Sequence, residues 1–152
     1  MRFPDEVIVC GIGYNIVKES NPMCINGNSH LGLISHFEKT IYLFTIVNFV
    51  DKDNVSKHIK SSNETIRETL YHEIWHLYCA VLSIEDHNTE QNANMFGLIA
   101  ANIADEHNDL PDINNVWAEF KTIVTDIDDD DIRKIDYLVE NTRFKFDEEP
   151  PI

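Results

Sequence analysis

Apolar residues follow two different spacings along this chain, and the change between them divides it. Residues 7–17 (Val-Ile-Val-Cys-Gly-Ile-Gly-Tyr-Asn-Ile-Val) are rich in β-branched side chains and interrupted by glycine, which predicts a strand with a bend. Residues 31–37 and 40–47 are two further β-prone runs separated by Glu38-Lys39, the pattern of a hairpin. Asn21-Pro22 and Asn26-Gly27-Asn28-Ser29 carry turn chemistry, and residues 51–62 are polar enough to predict a loop or a short helical lead-in. Beyond them the spacing lengthens. Ile66, Leu70, Ile74, Leu77 and Val81 recur at three- and four-residue intervals, which predicts a helix over about 64–82 capped by Ser62 or Asn63. A break at 83–89 precedes a second helix that runs to about Ala104, capped by Asn88 or Thr89, with Glu90 in its first turn. Ala93, Gly97, Ala100 or Ala101, and Ala104 pave one side of that helix with small residues. Such a face admits close approach, either by another helix or by the sheet.

After Leu110-Pro111, Asp112 is placed to cap a third helix through about Val124, with Val116, Phe120 and Ile123 on one side and Trp117 adding bulk. Acidic residues 126–131 lead into a fourth helix over about 130–140, where negative charge suits the dipole of a helix N-terminus. Arg143-Phe144-Lys145-Phe146 alternates, as an edge strand or a docking segment would, and residues 147–151 read as a frayed end. The expected architecture is α+β: a small N-terminal sheet of about three strands against a helical layer. Residues 1–111 form the main domain, and residues 112–152 are an acidic helical extension packed on it.

With 152 residues the chain is long enough to bury a core without staples. Cys10, Cys24 and Cys79 are an odd number at unrelated spacings, which gives no disulfide framework and fits a reducing compartment. No leader-like or membrane-length apolar run occurs, so a soluble cytoplasmic protein is expected. The formal charge of −15 repels phosphate backbones and argues against direct nucleic-acid binding. The same charge leaves open an acidic interaction or inhibitor protein that imitates DNA. Two suggestive motifs fail. Gly11-Ile12-Gly13 lacks the third glycine and the helix of a dinucleotide site, and a calcium loop starting at Asp126 has Asp131 where glycine is required and Tyr137 where the bidentate acid belongs.

The chemical motif is His72-Glu73-Ile74-Trp75-His76. Residues four apart share a helix face, so two imidazoles can grip one zinc ion, with Glu73 beside them as general base on the water that the metal activates. A catalytic zinc takes three protein ligands and keeps one place open. The extended metzincin spacing would need histidine at position 82, which is Leu82. A second helix that doubles back after a short turn would return Glu90 to the two histidines, and the short connection keeps Glu85, Asp86 and His87 in play as substitutes. Trp75, Tyr71, Tyr78 and Cys79 read as packing residues, with the tyrosine hydroxyls and His87 as lesser candidates for stabilising an oxyanion or orienting a ligand.

The pentad followed by Glu90-Gln91-Asn92-Ala93-Asn94-Met95-Phe96 resembles the H-E-x-x-H … E-x-x-A-N-x-F pattern of the ImmA/IrrE-type metallopeptidases and of their small phage-encoded relatives, the minimal gluzincins or SprT-like proteins. The resemblance covers roughly residues 1–111. It implies that His72, His76 and Glu90 bind Zn²⁺ and that Glu73 activates water against a peptide carbonyl. The substrate would be a specific protein partner, since members of the family cleave transcriptional repressors. The chain departs from the pattern in its compact gap between His76 and Glu90 and in Gly97, where alanine is commoner.

Overall fold

A computed structural model of the chain describes residues 3–21, 24–25, 28–29, 31–50, 52–103 and 110–146. The first predicted strand is two. β1 (Glu6–Val9) and β2 (Ile12–Glu19) form an antiparallel hairpin about Cys10 and Gly11, whose φ values of 51° and 81° are both left-handed. Positive φ at both central positions matches the right-handed twist of the flanking strands. The anticipated bend is therefore a full reversal.

Next come the short pair β3 (Cys24–Ile25) and β4 (Asn28–Ser29), then the hairpin β5 (Gly32–Ser35) and β6 (Thr40–Phe44). The apolar run that supplies β6 divides at Thr45, and its second half is β7 (Ile46–Val50), which pairs with β8 (Ser56–Lys60). β8 corrects the expected loop or helical lead-in: its side chains from Lys57 to Lys60 are all exposed, so no alternation betrayed it.

Four helices follow: α1 (Asn63–Val81), α2 (Glu90–Ile103), α3 (Ile113–Ile123) and α4 (Asp129–Glu140), then β9 (Thr142–Lys145). Each N-terminus has its side-chain cap. Ser62 accepts from Thr65 N–H, Thr89 from Asn92 N–H, Asp112 from Asn114 N–H and Asp128 from Asp131 N–H. The expected residue Ala104 of α2 and the frayed end at 147–151 lie outside the described residues.

The fold is α+β. Its main sheet has five strands rather than about three, in the order β5-β6-β2-β1-β9, with β2 and β6 parallel and every other pair antiparallel. The fifth strand comes from the far end of the chain, because residues 142–145 pair with β1 along the sheet edge. Val7, Val9, Tyr14, Ile16, Ile41 and Leu43 join Leu70, Ile74 and Leu77 of α1 in one apolar cluster, which continues through Phe96 of α2, Val116 and Phe120 of α3, and Ile135 and Leu138 of α4. Residues on both sides of position 112 thus share a single core. α1 runs through its middle, and Tyr71, Trp75 and Tyr78 are wholly buried. Val81, counted in the predicted apolar stripe, is instead half exposed at the helix end. Among the described residues no helix is long and apolar enough to cross a membrane.

Candidate metal centre

The site begins where α1 ends. Ser83 sits at φ 55°, its N–H reaches the carbonyl of Ala80 at 3.2 Å, and Ile84 N–H reaches that of Cys79 at 2.9 Å. This pair of bonds stops the helix, and buried Ile84 anchors the exit. The connection then folds over α1: the indole N–H of Trp75 donates to the carbonyl of His87 at 2.9 Å. Thr89 starts α2 in the opposite direction.

α1 and α2 touch at backbone distance. A Cβ built on Gly97 would lie 2.5 Å from the carbonyl oxygen of Glu68, so only glycine allows the crossing, and Ala93 and Ala100 are fully buried beside it. The small-residue face therefore packs on a helix. From this crossing both helices step back in register. One turn beyond Glu68 stands His72, whose side chain hydrogen-bonds that of Asn94, nearly one turn before Gly97. One turn further stand His76 on α1 and Glu90 on α2.

The Glu90 carboxylate straddles the two imidazoles. Oε2 lies 3.1 Å from His72 Nε2 and Oε1 lies 2.9 Å from His76 Nε2. His76 Nδ1 is 2.6 Å from Asn88 Oδ1; as the donor there, it leaves Nε2 with a free lone pair. His76 Nε2 is itself buried and makes no hydrogen bond, since with the proton on Nδ1 both it and the Glu90 carboxylate are acceptors. Such an orphaned nitrogen fits an atom that a cation completes. The ligand atoms of His72, His76 and Glu90 all lie within 4.8 Å of one another. Ligands about 2.0–2.2 Å from a tetrahedral zinc stand ~3.4 Å apart, close to the spacing found. These three residues could hold a metal ion. Glu85, Asp86 and His87 are not brought into the group: His87 Nδ1 faces Asn92 Nδ2 at 3.4 Å.

Glu73 turns towards β5. Only 6% of it is exposed, and that burial lifts its carboxyl to about 7, with His76 opposing the rise and Glu90 adding to it. Burial likewise holds the His72 imidazole below its ordinary value, against the pull of Glu90. A second glycine brings the sheet edge to this carboxylate. A Cβ on Gly32 would lie 2.5 Å from Thr69 Cγ2 and 3.3 Å from Glu73 Cγ, so β5 rests directly on α1. Between β5 and the helix pair lies a cleft of about 580 Å³, lined by Leu31, Leu33, Ile34 and His36 on one wall and by Glu73, His72, His76 and Glu90 on the other.

The tyrosines are structural. Tyr71 donates to the carbonyl of Pro111 at 2.6 Å and Tyr78 shares a hydrogen bond with Thr142 Oγ1 at 2.7 Å, so both phenols tie α1 to the C-terminal part of the chain. Burial pushes both above the ordinary phenol value, and pushes the Cys79 thiol up to about 12. Sequence reasoning missed Asn88 as an orienting partner and the whole strand wall. In the sequence Asn88 reads only as a cap, and nothing local marks Gly32 as a steric requirement. Compared with known proteins, the chain matches no family model, no curated protein and no solved structure.

Proposed function

We propose that this chain is a zinc-dependent endopeptidase of the cytoplasm that hydrolyses a peptide bond in a specific protein partner. The observation that carries the reading is the Glu90 carboxylate bridging Nε2 of His72 and His76 with buried Glu73 alongside, all opening into one cleft. Two neutral imidazoles and one carboxylate suit zinc, and when bound it supplies Lewis acidity to water and to the scissile carbonyl. Glu73 takes the proton from the attacking water and returns it to the leaving amine, a task suited to a carboxyl held near neutrality. Asn88 and Asn94 hold the two imidazoles in place. β5, which ends the sheet among the described residues, offers backbone groups to an extended polypeptide, so the substrate is held as an added strand beside Glu73. The match to the E-x-x-A-N-x-F pattern of the ImmA/IrrE-type peptidases supports the same assignment.

The charge of −15 favours a second reading, an acidic inhibitor in which zinc only clamps α1 to α2. One pair of variants separates them. Glu90→Ala is expected to lower zinc stoichiometry and Glu73→Gln to keep it, under either reading. Only for a peptidase does Glu73→Gln abolish the protein's effect on its partner, read as loss of cleavage fragments by mass spectrometry. A Glu73→Gln protein that keeps its full effect leaves the inhibitor standing.

A further inference from the structure

Most polar side chains that line the cleft are already engaged. The Thr69 hydroxyl donates to the carbonyl of Thr65 at 2.7 Å, Asn88 holds His76, Asn94 holds His72, and Glu90 reaches both imidazoles. Glu73 handles the proton. From the opposite wall, Leu31, Gly32, Leu33 and Ile34 bring no side-chain donor. His36 is the exception. It lines the same cleft, and among the described residues its imidazole makes no hydrogen bond or ion pair.

Its position is not accidental. The His36 ring stands edge-on to Tyr14, with centroids 6.5 Å apart and planes at 86°, and Tyr14 is itself buried in the core. The turn that carries it is pinned on both sides. Ser35 Oγ accepts from Glu38 N–H at 3.2 Å, and the Thr40 hydroxyl donates to the Glu38 carbonyl at 3.2 Å. His36 is exposed and shares one cleft with Glu73, His72, His76 and Glu90, and a donor within such a cleft is what an acyl-transfer site requires. When water adds to the carbonyl, a C–O bond forms, the carbonyl electron pair moves onto oxygen, and a donor aimed at that oxygen lowers the barrier.

We propose that His36 is a further catalytic residue, its imidazole N–H donating a hydrogen bond to the carbonyl oxygen as it becomes anionic. His36 transfers no proton; the proton of the water goes to Glu73. The inference rests on the endopeptidase reading, and its test needs no natural substrate. Two probes are titrated against zinc-loaded protein: N-phosphoryl-leucinamide, a tetrahedral anion, and acetohydroxamate, a flat chelator of the metal. His36→Ala is expected to weaken the phosphoryl probe by about a hundredfold while hydroxamate affinity stays within about twofold, and His36→Gln, which keeps an N–H donor, recovers most of the loss.

Zinc stoichiometry should be the same in all three proteins. Unchanged phosphoryl affinity in His36→Ala overturns the assignment, as does equal weakening of both probes or the absence of phosphoryl binding to the parent protein. A parent protein that takes up no zinc sinks the endopeptidase reading itself and this inference with it.

Discussion

The two walls of the cleft reach α1 by the same device and at different risk. On one side Gly97 lets α2 lie against the Glu68 carbonyl, a rigid backbone atom; on the other Gly32 lets β5 lie against Thr69 Cγ2 and Glu73 Cγ, atoms of side chains. The helical wall therefore has no room to give, whereas the strand wall can shift a rotamer. The first contact sets where Glu90 stands relative to the histidines, and the second sets what stands in front of Glu73. The candidate metal ligands and the surroundings of Glu73 are thus positioned through separate glycines.

Breaking the helical contact is the harsher test. Gly97→Ala forces the helices apart at an overpacking cost of about 1–3 kcal/mol and draws Glu90 away from His72 and His76. Zinc affinity measured by chelator competition is expected to fall at least ~10-fold. Unaltered affinity would show that Glu90 does not depend on the crossing. Gly32→Ala should cost less, about 1.5 kcal/mol by urea denaturation, since an off-rotamer side chain can absorb most of the clash. Zinc affinity should hold. Adding Thr69→Ser, which deletes the offending Cγ2, is expected to restore the denaturation midpoint, and failure of that rescue would place the clash at the Tyr42 carbonyl, 3.2 Å from the new Cβ.

The mildest change concerns the turn that hands α1 over to α2. Ser83 holds a left-handed φ of 55° at the end of α1, a conformation glycine adopts without penalty. Ser83→Gly is expected to raise stability by roughly 0.5–1 kcal/mol, seen as a higher Tm with zinc affinity unmoved. A lower Tm would mean that the serine side chain contributes something its backbone position does not reveal.

The same asymmetry explains what could be read in advance. All four helices and the caps of the first three were legible, because capping oxygens and three- or four-residue periodicity act within one turn, whereas Asp128, the cap of α4, was hidden in a run of acidic residues. His72, His76 and Glu90 were legible for a related reason: they lie at the facing ends of two consecutive helices joined by a short connection. The strand side resisted. Cys10 at a left-handed φ hid the β1–β2 reversal, since the usual Asn-Gly or Asp-Gly pair is missing. β8 hid behind a polar, exposed face, and the placement of β9 depends on a partner more than a hundred residues away. Gly32 and His36 gain their meaning only when tertiary packing lays β5 on α1, which no local pattern records.

The pairing of β1 with β9 has a consequence for how the molecule comes into being. A chain leaving the ribosome presents the open edge of β1 early, yet that edge stays unsatisfied until residue 145 has emerged, so the sheet matures late and through a contact of very long range. Tyr78 gains its Thr142 partner at the same moment, which delays the final setting of the helix that bears both imidazoles. Nascent copies therefore pass through translation with one sheet edge and the Tyr78 hydroxyl still waiting for residues 142–145.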